Sequence, residues 1–280
     1  MIDFKSMKRV GILYNPKTEQ AVTFSSQVKT FMDSHNVEVW ICSSWDEDTA
    51  KAKMAGSDLL ISVGGDGTIL RTVRVSIPHP IPVLGINFGK LGFMTELKAD
   101  EVFKQIPLVL DGAGWIEERA ILEIKLPSKN RTFFALNDVF VGRRSSARVV
   151  IVEAKLNGEF LATYKADGVL VSTASGSTGY SMAVSGPILH PESREILLKP
   201  VCAHFTFDKA LVLSPDTVIS LKVATTHEAM ISNDGQVEMQ LQDGDEIEVK
   251  LSAQRARFLR LQPRSYFYRS LESKLREKVV

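Results

Sequence analysis

Cysteine is scarce. The 280 residues hold two, Cys42 and Cys202, too far apart for C-x-x-C spacing, which excludes a disulfide framework and a thiolate metal or redox site and suits a reducing cytosol. An excess of charge is missing as well: 34 Lys and Arg face 33 Asp and Glu, leaving a net charge of +1. No global field would draw in nucleic acid or an anionic membrane, so neither is an expected partner, and any bound anion must be held locally. No apolar run reaches the ~18 residues of a membrane span, and residues 1–7 carry Asp3 and Lys5 without the apolar core of a leader. The five histidines, His35, His79, His190, His204 and His227, form no H-x-x-x-H or Cys/His cluster, so no protein-held metal is expected. Internal repeats and low-complexity tracts are absent too. What remains, at 44% hydrophobic and 24% charged, is a soluble, folded, cytoplasmic protein. At ~150 residues per domain, its length fits one large or two medium domains.

The two halves are patterned differently. Arg9–Tyr14 reads as a buried strand; Ala21, Phe24, Val28 and Phe31 then form one apolar helix stripe. Val37, Val39 and Ile41 alternate as a second strand, Leu59–Val63 is a third and 81–86 a fourth, weakened by Pro82. Strands separated by helices imply right-handed crossovers and a parallel, Rossmann-like sheet. After Trp115 the chain turns to short strands between turn signals: 121–126, 133–141, 149–156 before Asn157-Gly158, 218–223, Val237–Leu241 after Asn233-Asp234-Gly235, and 247–251 after Asp243-Gly244-Asp245. A helix-like insertion at about 176–184 interrupts them, and Phe267, Leu271 and Leu275 predict a closing amphipathic helix. The expected organisation is an α/β domain over 1–112, a β-sandwich over 113–262 and a helical tail over 263–280, with the boundary at Asp111-Gly112-Ala113-Gly114.

The sharpest local signal is strand 59–63 running into Gly64-Gly65-Asp66-Gly67-Thr68 and then Ile69-Leu70-Arg71. Glycines between a parallel strand and a helix start let phosphate approach backbone N–H groups closely. Asp66 is the odd member, since an anion cradle gains nothing from a carboxylate. It either sits beside a metal-bound phosphate or takes a proton from a nucleophilic hydroxyl; the plain alternative is a structural turn with Asp66 as a cap. A second signal follows Asp167-Gly168: seven of the eight residues at 172–179 are Ser, Thr or Gly, ahead of Tyr180. Such a loop suits a polar ligand, or is simply a well-capped helix start.

Together with Asn87-Phe88-Gly89-Lys90-Leu91-Gly92-Phe93, Asn137-Asp138, Gly186-Pro187 and Asp234-Gly235-Gln236, these motifs resemble the NAD kinases, in the family's order, over about residues 64–236. Gly-Gly-Asp-Gly alone is shared with phosphofructokinases and lipid kinases; the second motif is far more specific. The resemblance implies that Asp66 activates the adenosine 2′-hydroxyl of NAD, with Gly64, Gly65, Gly67, Thr68 and Arg71 at the phosphates of ATP. By the same resemblance Asn87 and Phe93, the latter against adenine, would belong to the NAD site, as would Gly67. Asn137 and Asp138 would hold ribose hydroxyls, and Asp167 the nicotinamide end. Lys165, Ser175, Thr178, Gly179, Tyr180 and Gln236 complete that site. A divalent cation, Mg²⁺, arrives with ATP or another phosphoryl donor. The resemblance also implies a homo-oligomer, dimer or tetramer, in which Asp167 serves a neighbouring subunit.

Several residues depart from the family pattern. Asp138 replaces Glu, one methylene shorter; Ala174 replaces a proline; Gly179 replaces alanine; Pro200-Val201-Cys202-Ala203-His204 is a degraded Pro-x-x-Pro-His, so His204 is assigned no role. Arg143, Arg144 and Arg148 either steer phosphate or form a solvated loop. Tyr266, Phe267 and Tyr268 read as a packing face of the last helix. Two other functions compete: a diacylglycerol or sphingosine type of lipid kinase, disfavoured by the polar 172–179 loop, and a nucleotide sensor without catalysis.

Overall fold

In the first part of the chain, apolar runs too short for helices become buried strands: β1 (Arg9–Tyr14), β2 (Glu38–Ser43), β3 (Leu59–Val63) and β4 (Val83–Asn87). The computed structural model describes residues 7–77, 79, 81–88, 92–144, 149–204, 207–224 and 228–278. Helices α1 (Glu19–Asp33), α2 (Glu47–Lys53) and α3 (Asp66–Ser76) provide the connections of a parallel sheet ordered β2-β1-β3-β4. The stripe read from the sequence is real: Ala21, Phe24 and Val28 are buried against Val10, Ile12, Leu59 and Ile61. β4 starts at Val83, two residues later than expected, because Pro82 has no N–H to pair and contributes its carbonyl to Leu60 N–H instead. A short β5 (Leu97–Lys98) pairs with β4 and leads into α4 (Val102–Leu110), which buries Ile106 and Val109.

The second part is antiparallel. One sheet runs β13 (Leu211–Leu213), β12 (Ile196–Val201), β11 (Gly168–Ser172), β8 (Asp138–Arg143), β15 (Ala229–Asn233), β16 (Val237–Leu241). Facing it are β10 (Glu159–Ala166), β9 (Val150–Leu156), β14 (Ile219–Val223) and β17 (Glu246–Arg260), with β6 (Trp115–Leu126) on β17 and β7 (Arg131–Ala135) on β6. One core fills the space between the sheets: Val139, Val169, Val171 and Leu198 from the first meet Val152, Tyr164, Leu221 and Val249 from the second. Asn157 (φ 51°) and Gly158 (φ 85°) both take the positive φ of a type I′ turn, as that dipeptide signals.

Three expectations change. The expected strand 133–141 is two strands, broken at Leu136-Asn137 because the Asp234 carboxylate accepts the N–H groups of Leu136 (3.1 Å), Asn137 (2.8 Å) and Asp138 (3.2 Å) that a ladder would have used. The expected helix over 176–184 is a 3₁₀ turn, Ser175–Thr178, then a single α turn, α5 (Tyr180–Ala183), separated by the non-helical backbone of Gly179 (φ −97°, ψ −126°). Finally, the compact units are Met1–Glu118 with Ala256–Val280, and Arg119–Arg255. The chain crosses inside β6 and returns inside β17 rather than at the Asp111–Gly114 turn, and α6 (Tyr266–Lys278) belongs with the first unit. Strands long enough to serve two cores carry no composition break where they change partners.

Candidate functional site

In the first unit the order β2-β1-β3-β4 reverses direction between β1 and β3, and ligands of open α/β sheets bind beyond the carboxyl ends of strands at such a point. The glycine turn lies there: Asn15 N–H, after β1, donates to Val63 O, and Gly64 N–H donates to Ile86 O. A Cβ on Gly65 or Gly67 would meet nothing within 4 Å, so the turn is open on that side. Gly64 is different: its φ is 153°, and a Cβ there would lie 2.3 Å from Thr68 Oγ1. Thr68 is buried and directed at Gly64, so its hydroxyl points into the turn rather than onto the open face.

Asp66 is the first residue of α3, and it is not left to solvent. Its Oδ2 accepts Phe93 N–H at 3.0 Å and its Oδ1 accepts Met94 N–H at 3.2 Å, while Gly92 packs so closely that a Cβ would lie 2.1 Å from Oδ1. One N–H on each oxygen fixes the plane of the carboxylate and leaves each oxygen further acceptor capacity. Phe93 is buried, with Lys274 of α6 over its ring at 5.6 Å. Asn87, at the end of β4, accepts Phe88 N–H on its side-chain oxygen. Gly89, Lys90 and Leu91, quoted from the same segment, lie outside the described residues. Arg71 stands 4.7 Å over the half-exposed Trp45 ring, with Lys17 at 4.5 Å over the same ring. Burial, and then the neighbouring Arg74, lowers the pKa of Arg71.

In the second unit, Asp234 orients the start of β8 through the three N–H bonds described above. Asp138 is buried, and desolvation followed by the nearby Asp234 charge raises its pKa to about 7. Its carboxyl is therefore half protonated near neutrality, able to donate as well as accept. The buried Oδ1 of Asn137 has no hydrogen-bond partner.

The 172–179 hydroxyls are mostly spent on the loop itself. Ser172 donates to Asn137 O, Thr173 to Leu136 O, Ser177 to Ala174 O and Thr178 to Ser175 O, and Ser177 also accepts Leu189 N–H. Gly176 is required by packing, since a Cβ would lie 2.2 Å from Asn137 O. Ser175 is buried, with Arg119 Nη1 at 3.5 Å, and Gly179 lies under the Asn137 and Asp138 side chains. Tyr180 is exposed and edge-on to Phe140 at 5.7 Å; burial, then Cys202, Asp167 and Asp138, pushes its phenol up, so it remains an O–H donor. Asp167 is paired with Arg143 at 2.9 Å in its own chain. Lys165 is exposed, and its carbonyl accepts His204 N–H; Gln236 N–H closes the turn onto Asn233 O. Arg148 lies outside the described residues. Among those residues no three His, Cys, Asp or Glu side chains are grouped to hold a metal.

The ATP-NAD kinase N-terminal domain family matches residues 15–113, and the ATP-NAD kinase C-terminal domain family matches 136–261. A NAD kinase of Dehalococcoides mccartyi is 43% identical over 96% of this chain and 96% of its own length. This chain belongs to the NAD kinase family. Other family members are similar at lower identity, among them a NAD kinase of Chloroflexus aurantiacus, 36% identical over 96% of this chain and 99% of its own. Among solved NAD kinase folds, a yeast NADH kinase complexed with NADH superimposes with a TM-score of 0.85 at 25% identity, covering 96% of this chain and 87% of that one. An Archaeoglobus fulgidus NAD kinase in complex with ATP gives 0.77 at 27% identity, covering 96% and 98%. The α/β unit, the antiparallel sandwich and the C-terminal helix are thus the architecture of this family.

Sequence reasoning missed the partners that hold these groups. Lys17 and Trp45 carry no motif of their own. Arg260, which donates to Met94 O beside Asp66, is 166 residues away in sequence, so no local pattern could find it. Asp234 had a signal, a carboxylate in an Asn-Asp-Gly turn, but its three N–H partners 96 to 98 residues earlier did not.

Proposed function

We propose that this chain transfers a phosphoryl group from ATP, or another phosphoryl donor, to the adenosine 2′-hydroxyl of NAD, giving NADP. The observation that carries this reading is Asp66. A carboxylate is held by two peptide N–H groups, beside two open glycines, at the reversal point of a parallel sheet, in a member of the NAD kinase family. Phosphoryl transfer asks for little beyond positioning and charge, apart from removal of the hydroxyl proton. Asp66 takes that proton. Gly65 and Gly67 let the donor phosphates approach, and Arg71, with Lys17, supplies positive charge. Mg²⁺ would arrive with the nucleotide, held by the donor's phosphate oxygens, and would neutralise charge on the transferring group.

On the acceptor side, the unsatisfied Asn137 Oδ1 and the half-protonated Asp138 suit ribose hydroxyls, each of which donates and accepts. Tyr180 contributes stacking area, Phe93 lies on the adenine side, and Asp167 meets the nicotinamide end, its pairing with Arg143 exchanging on binding. Because most of the 172–179 hydroxyls are bonded inside the loop, they no longer argue against a lipid acceptor. The C-terminal family match over 136–261 now carries that distinction. A homo-oligomeric state and a cytoplasmic location accompany this reading; no described helix is long and apolar enough to cross a membrane.

The test is to incubate the protein with NAD, ATP and Mg²⁺ and detect NADP with an NADP-specific dehydrogenase, with diacylglycerol as the control acceptor. NADP formation without lipid phosphorylation is expected. Lipid phosphorylation, or NAD binding without turnover, would overturn the proposal.

A further inference from the structure

We propose that Arg260 is a positioning residue for Asp66, acting through Met94; this rests on the reading of Asp66 as the base. Met94 is held from both sides. Its N–H donates to Asp66 Oδ1 at 3.2 Å, and its carbonyl accepts Arg260 Nη1 at 2.8 Å. The guanidinium is itself fixed: Nη1 also reaches Glu96 Oε2 at 3.1 Å, and Nη2 and Nε reach Glu117 Oε1 at 2.9 and 3.2 Å. Glu96 Oε1 accepts Leu261 and Gln262 N–H, both at 2.7 Å, and Glu96 N–H donates to Gly85 O. The stretch 94–96 is therefore clamped between β4 and the end of β17.

All three charged side chains are buried, with 9% of the side chain exposed at most. Burial alone would lower the pKa of Arg260; Glu117 and Glu96 more than offset it, and the guanidinium stays charged. An ion cluster of this kind is a poor way to gain stability, since apolar residues of similar volume fill such space at no greater cost. What it adds is direction: a planar fork whose donors cannot swing aims one N–H at the Met94 carbonyl. Without it Met94 can rotate, Asp66 Oδ1 loses its partner, and the carboxylate turns away from the hydroxyl. Misplacement by about 1 Å can cost on the order of 10²-fold in rate.

The test is a double-mutant cycle on turnover, corrected for folded fraction, using Arg260→Lys, Asp66→Asn and the pair. Lysine keeps the charge and loses the fork. Arg260→Lys is expected to lower kcat roughly 10- to 100-fold with Asp66 present, to leave the KM for NAD within about twofold, and to have under about a twofold effect in the Asp66→Asn background. If Arg260→Lys does not fold, the cycle is run with Glu96→Gln/Glu117→Gln/Arg260→Met, which removes the buried charges together. An equal fold-loss in both backgrounds, or an unchanged kcat, would overturn the role of Arg260 while Asp66 remains the base. Near-normal turnover of Asp66→Asn alone would overturn both.

Discussion

At Gly64–Thr68 the chain has few side chains and one carboxylate; at 172–179 it has hydroxyls at five of eight positions, and their fates are opposite. The sparse turn leaves Gly65 and Gly67 open and spends two N–H groups of another segment on holding Asp66. The rich loop turns its hydroxyls inward to fasten itself to Leu136 and Asn137. Its dense polar composition is therefore scaffolding, and the groups proposed for ligand contact are its neighbours Asn137, Asp138 and Tyr180. Here polar density marks where the structure is fastened, and the single carboxylate among glycines stands at the open face proposed for the ligand.

The contrast breaks most sharply on Asp66→Asn against Ser177→Ala. Asp66→Asn should lower turnover by roughly 10²- to 10⁴-fold, since an amide cannot accept the proton, with NAD affinity by calorimetry retained. Ser177→Ala, which deprives Leu189 N–H of its acceptor, should cost about 1 to 3 kcal/mol of stability and leave turnover per folded molecule unchanged. If the two exchanged outcomes, the contrast would be inverted.

The next largest effect belongs to Asp138. Its folded pKa of about 7 lies above the ordinary 3.8, so the folded state holds its proton longer than the unfolded state. No penalty exists below about pH 4. The penalty grows as pH rises to about 7 and is complete above it, at roughly 4 kcal/mol. Asp138→Asn should therefore raise the melting temperature at pH 8 and converge with the parent only as pH falls to about 4 and below. Thermal melts across that range check it, and a pH-independent difference would remove the proton from Asp138.

The glycines sharpen the comparison within one turn. Gly64→Ala forces a side chain onto a φ of 153° and into Thr68 Oγ1, and should destabilise the fold by about 1 to 3 kcal/mol. Gly67→Ala has open space and a helical position, and should keep or slightly raise stability while raising the KM for the donor, because the methyl would stand on the face proposed for the phosphates. Denaturant melts with donor kinetics separate the two.

The smallest effect is Tyr180→Ala, which should raise the KM for NAD more than it lowers kcat, about 3- to 10-fold, since an exposed ring contributes equally to ground and transition states. An unchanged KM with collapsed kcat would reverse its role.

Much of this fold was legible. Helix α1 and strands β1 to β4 follow from apolar period and turn residues, and Asn157-Gly158 announced its hairpin. The β7–β8 break was not legible, because it depends on Asp234, about a hundred residues later. Nor was the crossing of β6 and β17 between cores, since alternating residues look the same whichever core they enter. At the site, Asp66 stood out because glycines surrounded it. Which hydroxyls of 172–179 face inward could not be read, since composition does not encode direction. Arg260 was invisible, and the partners of Asp234 were unreadable, for one reason: those contacts exist only after folding.

The central claim, that Asp66 removes the 2′-hydroxyl proton from a fixed carboxylate, is tested most directly by turnover of Asp66→Asn across a magnesium titration beside the parent protein. The expected result is a loss on the order of 10²- to 10⁴-fold that persists at saturating magnesium. Substantial recovery at high magnesium would make Asp66 a metal ligand instead, and near-normal turnover at ordinary magnesium would contradict both roles.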